Sequence, residues 1–106
     1  MGCEQMMDRM SFILAGENLK RVIVKKNAEG KPQITVDLHG MDCRTAKRVI
    51  KSIIAMYRFS FDLVLIHGFN HGTALKTLIN TDIVNDRIMS KKSPSYNPGL
   101  TVMAIA

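Results

Sequence analysis

Along residues 34–38 apolar and polar side chains alternate, with Ile34, Val36 and Leu38 on one side and Thr35 and Asp37 on the other. A period of two suits a strand with one buried face, and it sets Asp37 and His39 together on the side away from the core. The period then changes. From Cys43 to Tyr57 the apolar residues Ala46, Val49, Ile50, Ile53, Ile54 and Tyr57 follow helical spacing, while Lys47, Arg48, Lys51 and Ser52 fill the opposite face. This predicts an amphipathic helix with a basic outer side. Asp42 stands just before it, where a carboxylate accepts the free amides of a first turn. Next, Leu63, Val64, Leu65 and Ile66 form a continuous apolar run, expected of a central strand covered on both sides or packed tightly beside a parallel neighbour.

The flanking pattern supplies the remaining elements. Leu19 to Lys26, with Val22, Ile23 and Val24, reads as a strand, and Asn27 to Pro32 as the turn of a hairpin leading into the alternating segment. A second helix is predicted from Thr73 to about Asn80, with Ala74, Leu75, Leu78 and Ile79 inward. Arg87 to Ser90 reads as a short strand, Pro94 to Gly99 as a loop, and Leu100 to Ile105 as a terminal strand. Near the start, Met6, Met7, Met10, Phe12, Ile13 and Leu14 have a spacing compatible with a short helix without a clear polar face. Together these predict a two-layer α/β sandwich. It has a mixed sheet of four to five strands with two main helices on it, and the strands on either side of the first helix are parallel through a right-handed crossover.

Composition narrows the partner more than the fold. A chain of 106 residues, 46% hydrophobic, makes one domain with a modest core. Its formal net charge of +6, from 15 Lys+Arg against 9 Asp+Glu, favours an anionic partner such as nucleic acid or a phosphorylated ligand. Most of the excess falls in residues 34–106, with nine bases against five acids, rather than in residues 1–33, with six against four. Two cysteines, Cys3 and Cys43, are too few for a disulfide scaffold and suit reduced thiols in the cytoplasm. No apolar run approaches the roughly 18 residues of a membrane span, and no secretory leader is recognised. Met6 occupies the place where a myristoylation signal wants Ser or Thr.

Candidate chemistry gathers at two related tetrapeptides, Asp37-Leu38-His39-Gly40 and Leu65-Ile66-His67-Gly68, each closing an apolar run. Parallel neighbouring strands end on the same edge of a sheet, the edge outside which ligands bind in α/β folds, so the two histidines are expected to share a site. Asp37 beside His39 suits acid/base or metal chemistry on a phosphodiester, or else merely caps the turn that follows. The stretch His67-Gly68-Phe69-Asn70-His71-Gly72, entering a helix, suits backbone amides closing on a phosphate within reach of Lys76, or else a tight turn. No pair among His39, His67, His71, Asp37 and Cys43 has zinc-motif spacing; magnesium or manganese bridging Asp37 to a substrate phosphate is the metal compatible with the pattern. Arg44, Lys47, Arg48, Lys51 and Arg58 present either a nucleic-acid-tracking face or an ordinary solvated one.

In register over residues 34–106, the chain resembles the Smr domain, the small MutS-related module. The resemblance is carried by Val36-Asp37-Leu38-His39-Gly40, the helix after it, Ile66-His67-Gly68, Gly72, Leu75, and Asn97-Pro98-Gly99 with Thr101. Residues 1–33 fall outside it as an N-terminal extension. It implies a fold similar to the C-terminal domain of bacterial translation initiation factor three, and binding to DNA or RNA. Several relatives nick DNA or cleave RNA. Carried over, it makes Asp37, His39 and His67 the catalytic or substrate-contacting residues. It also assigns nucleic-acid contacts to the second loop, so that Gly40, Arg44, Gly68, Phe69, Asn70, His71, Gly72 and Lys76 are the expected binding set. The family's second motif reads His-Gly-x-Gly-x-Gly, whereas Phe69 and Asn70 fill the third and fourth places here. That change leaves open an endonuclease, or a non-catalytic module that binds nucleic acid or a protein, with Phe69 placed to stack on a base.

Overall fold

A computed structural model describes residues 21–68, 73–94, 96–97 and 99–106. The hairpin comes first, as β1 (Val22–Lys26) and β2 (Pro32–Asp37), paired antiparallel from Val22↔Val36 to Lys26↔Pro32. Its turn is organised by Asn27, whose Oδ1 accepts the amides of Glu29 at 2.9 Å and Lys31 at 3.0 Å, and by Gly30 at φ +81°. α1 (Cys43–Met56) starts at Asp42, whose carboxylate accepts the Thr45 amide at 2.7 Å. This hydrogen bond to the charged form holds the Asp42 carboxyl below its usual range. β3 (Phe61–Ile66) follows, then α2 (Thr73–Thr81), β4 (Ile88–Lys92) and β5 (Leu100–Ile105).

The five strands form one sheet in the order β1-β2-β3-β5-β4. Only β2 and β3 are parallel, joined by the α1 crossover, and the other pairs are antiparallel. The two-layer mixed α/β sandwich is therefore present. Strand residues of one phase enter the core: Ile34, Val36 and Leu38; Phe61, Leu63 and Leu65; Met103 and Ile105. Ala46, Val49, Ile50, Ile53 and Ile54 of α1 and Leu75, Leu78 and Ile79 of α2 join them, with Val22, Tyr57 and Ile83. β1 lies in the segment outside the resemblance, yet it is hydrogen-bonded into this same sheet as an edge strand.

Three expectations need correction. β3 alternates, with Val64 and Ile66 only half-buried, so of the two readings of its apolar run equal cover on both faces does not hold, whereas the parallel neighbour, β2, does. Ala74 is exposed, because α2 turns Leu75, Leu78 and Ile79 to the core instead. β4 begins at Ile88 and runs to Lys92, because pairing with β5 continues through Lys91↔Met103 and Lys92↔Val102, and its register shifts between Ile88 and Ser90. The short helix expected near Met6–Leu14 lies outside the described residues.

Neither helix carries a basic residue in its last turn, and cations from the β4 region serve both C-termini instead. The Arg87 guanidinium donates to the carbonyls of Ile54 and Tyr57 at the end of α1, to Phe59 at 3.1 Å and to Ala106 at 2.8 Å. Lys91 Nζ donates to Ile79 at 2.8 Å and Ile83 at 2.6 Å beyond the end of α2, and burial holds its pKa below the usual lysine range. No described helix is long and apolar enough to cross a membrane.

Candidate functional site

The parallel pairing of β2 with β3 brings both His-Gly turns to one edge. Leu38 N–H donates to the Ile66 carbonyl at 2.8 Å, extending the pairing past the strand ends. Gly40 at φ +85° and Gly68 at φ +82° each hold a backbone conformation that favours glycine. The turns are close enough that a Cβ built on Gly68 would lie 3.2 Å from Cδ2 of His39. His39 and Gly68 therefore meet at this edge.

The two imidazoles have opposite surroundings. His39 is exposed, and its ring has no hydrogen-bond partner among the described residues. His67 continues the inward phase of Phe61, Leu63 and Leu65 and is 1% exposed. Its Nδ1 is 3.1 Å from the Gly68 carbonyl, which can only accept, so Nδ1 carries the proton in the neutral ring. Nε2 then accepts from the Thr101 hydroxyl at 3.0 Å, and Thr101 Oγ1 lies 3.3 Å from Ser93 Oγ. Burial is the main cause that lowers the His67 pKa; the Gly68 carbonyl opposes the shift, and the charge of Lys76 adds to it. The amides of His67 and Gly68 both donate to the Gly99 carbonyl at 2.9 Å. His67 thus ties the β3 end to the start of β5.

Asp37 does not pair with the His39 ring through any hydrogen bond described. Its Oδ1 accepts the His39 amide at 3.0 Å, the turn-capping arrangement that the sequence left as the alternative. Among the described residues no three His, Cys, Asp or Glu side chains gather as a metal-binding group. Asp37, His39 and Gly68 are nonetheless at one edge, with Gly40 in the β2–α1 turn. Arg44 in the first turn of α1 and Lys76 in the first turn of α2 are exposed. Phe69, Asn70, His71 and Gly72 lie outside the described residues.

Arg21 is the residue that sequence reasoning missed. Its Nη1 donates to the His39 carbonyl at 2.6 Å and reaches the Asp37 carbonyl at 3.4 Å, while Nη2 lies 4.0 Å from where a Cβ on Gly40 would be. Anchoring one amino group on the main chain limits the side chain's freedom and leaves the other available beside the turn. Only antiparallel β1–β2 pairing puts the start of β1 at the carboxyl end of β2, so nothing local in the sequence links Arg21 to His39. Thr101 and Ser93 likewise reach His67 only through strand order, with Thr101 opposite Leu65. Comparison with protein-family models, with curated proteins and with solved structures gave no match.

Proposed function

We propose that this chain is a nucleic-acid-binding domain of the Smr type, its ligand the phosphodiester backbone of DNA or RNA. One observation carries the reading: an exposed His39 packed against Gly68, with Arg21 anchored on its own carbonyl, at an edge that also bears Arg44 and Lys76. Cations on a rigid edge neutralise phosphates and release counterions, giving affinity without base readout. Lys47, Arg48 and Lys51 on the outer side of α1, and Arg58 just beyond it, extend the positive surface.

The test is fluorescence anisotropy of single- and double-stranded RNA and DNA oligonucleotides across a salt series. Affinity falls steeply with salt, and Arg21→Gln or Arg44→Gln each lowers the slope of log K against log salt by about one. Absence of binding at low salt, or a flat salt response, overturns the reading.

Cleavage is a second reading, favoured by one observation: the His39 ring is exposed and has no hydrogen-bond partner among the described residues, as suits a group that moves a proton at a bound phosphodiester. His67, buried with both nitrogens engaged, acts in this reading as the residue that holds Gly68 in place beside His39. Nicking of plasmid or degradation of RNA in magnesium or manganese is expected to vanish in His39→Ala while binding and fold persist. Equal rates in wild type and variant remove His39 from the chemistry.

A further inference from the structure

The net charge of this chain is concentrated in one segment. Residues 43–61 hold five bases, Arg44, Lys47, Arg48, Lys51 and Arg58, and no acid, whereas the rest of the chain holds ten bases against nine acids. All but one of the +6 net charges therefore belong to α1 and the turn after it. Elsewhere, Arg87 and Lys91 donate to carbonyls at the helix ends, Lys31 pairs with Asp62 at 3.0 Å, and Arg21 holds the His39 carbonyl.

Helical spacing turns the run into a file. Arg44, Lys47, Arg48 and Lys51 fall within an arc of about 100° on the side away from the buried Ala46, Val49, Ile50, Ile53 and Ile54. Arg44, Arg48 and Lys51 are exposed, and none of the four has a hydrogen bond or ion pair among the described residues. Asp42, next to the file, accepts the Thr45 amide, and the charges of Arg44 and Arg48 are the smallest of the influences on its pKa. Such a face is poorly built for stability alone. Arg44 with Lys47 and with Arg48, and Lys51 with Lys47 and with Arg48, stand three or four apart, so each is a like-charge pair that opposes the helix. Arg44 also lies in the first turn, where the helix dipole favours an acid and none is present. An ordinary solvated face mixes both signs; a face of one sign that breaks these local rules without compensation marks a surface kept for a ligand of the opposite charge.

We propose that the outer side of α1 is the principal phosphate track of this domain and that its ligand is a nucleic-acid duplex, an assignment that rests on nucleic acid being the ligand of the His39 edge. Position supports it. α1 begins three residues after Gly40 and connects the end of β2 to the start of β3, so the file starts beside His39 and runs back across the sheet. Chemistry selects the duplex. Tyr57 and Phe61 are buried and Phe59 packs against both, so among the described residues no aromatic ring stands in the file to stack on an unpaired base. A duplex turns its phosphates outward and its bases inward, and cations along a convex helix then meet phosphates alone.

Anisotropy with the full chain tests this, using DNA and RNA duplexes of about 12 base pairs, which at about 3.4 Å each are twice the roughly 21 Å length of α1, and their separated strands. The duplexes are expected to bind at least about tenfold tighter than the single strands at equal salt. Lys47→Gln combined with Arg48→Gln and Lys51→Gln is expected to lower the duplex slope of log K against log salt by about three, and duplex affinity at least about thirtyfold. Arg48→Glu alone turns two repulsive pairs into attractive ones, so it should raise Tm while weakening duplex binding at least about tenfold. A Tm that falls in Arg48→Glu, duplex affinity that holds in either variant, or single strands bound as tightly as duplexes overturns the proposal. If Arg21→Gln weakens binding and the triple variant does not, the edge stands as the ligand site and the track falls. Absence of binding to every probe overturns both readings.

Discussion

The two His-Gly turns share a sequence pattern, a positive-φ glycine and an edge of the sheet, yet one histidine faces solvent and the other is 1% exposed. Strand phase makes the difference. In β2 the core takes Ile34, Val36 and Leu38, so His39 falls out of phase and emerges; in β3 it takes Phe61, Leu63 and Leu65, so His67 falls in phase and is buried. One residue of phase therefore separates a group able to meet a ligand from one that holds the fold together. The pair divides labour, with His39 presented at the edge and His67 tying the end of β3 to the start of β5.

The comparison is broken most forcefully at Thr101. Thr101→Val keeps the shape but leaves Nε2 of a buried imidazole unpaired, and chemical denaturation should show a loss of about 1–3 kcal/mol. A cost below about half a kcal/mol would mean that the Thr101 contact contributes little to holding His67. Next come the two glycines. Gly40→Ala and Gly68→Ala each place a β-carbon at positive φ, for a cost of about 1–2 kcal/mol by the same measurement. Only the change at 68 also crowds His39, so only it should shift the His39 ring resonances in an NMR spectrum.

Acid should separate the histidines more gently. The folded pKa of His67 lies below the 6.5 of a free imidazole, so below pH 6.5 the unfolded chain takes up the proton first. Stability is then complete above pH 6.5 and declines as pH falls from there toward the folded value. His67→Gln should remove the decline in that window, and an unaltered profile would show that burial does not hold the ring neutral. Asp42 acts in a lower range: its contribution is present above 3.8 and is lost as pH falls through its depressed folded value. The smallest effect belongs to His39→Ala, which should change stability by no more than about 0.5 kcal/mol, as befits an exposed ring.

Much of this molecule is legible in its residue pattern. The alternation over 34–38 and the helical spacing from Ala46 to Ile54 each have a single reading, and Asp42 marks the start of α1; the helix and the strands around it fall close to the predicted bounds. β3 is harder. In Leu63-Val64-Leu65-Ile66 every position is apolar, so periodicity gives no phase, and Asp62 alone hints that the even positions face away from the core. That ambiguity is why the pattern does not say which way the His67 ring faces.

Local spacing and the handedness of a crossover are enough to define the elements, the parallel β2–β3 pair and the edge that carries both motifs. Which histidine is available was left to the packing, since phase in an apolar strand is settled only by which face the helices cover. Packing also chose the company each keeps. Arg21 reaches His39 across a hairpin, and Thr101 reaches His67 across a strand pair, contacts separated by 18 and 34 residues that no local pattern encodes.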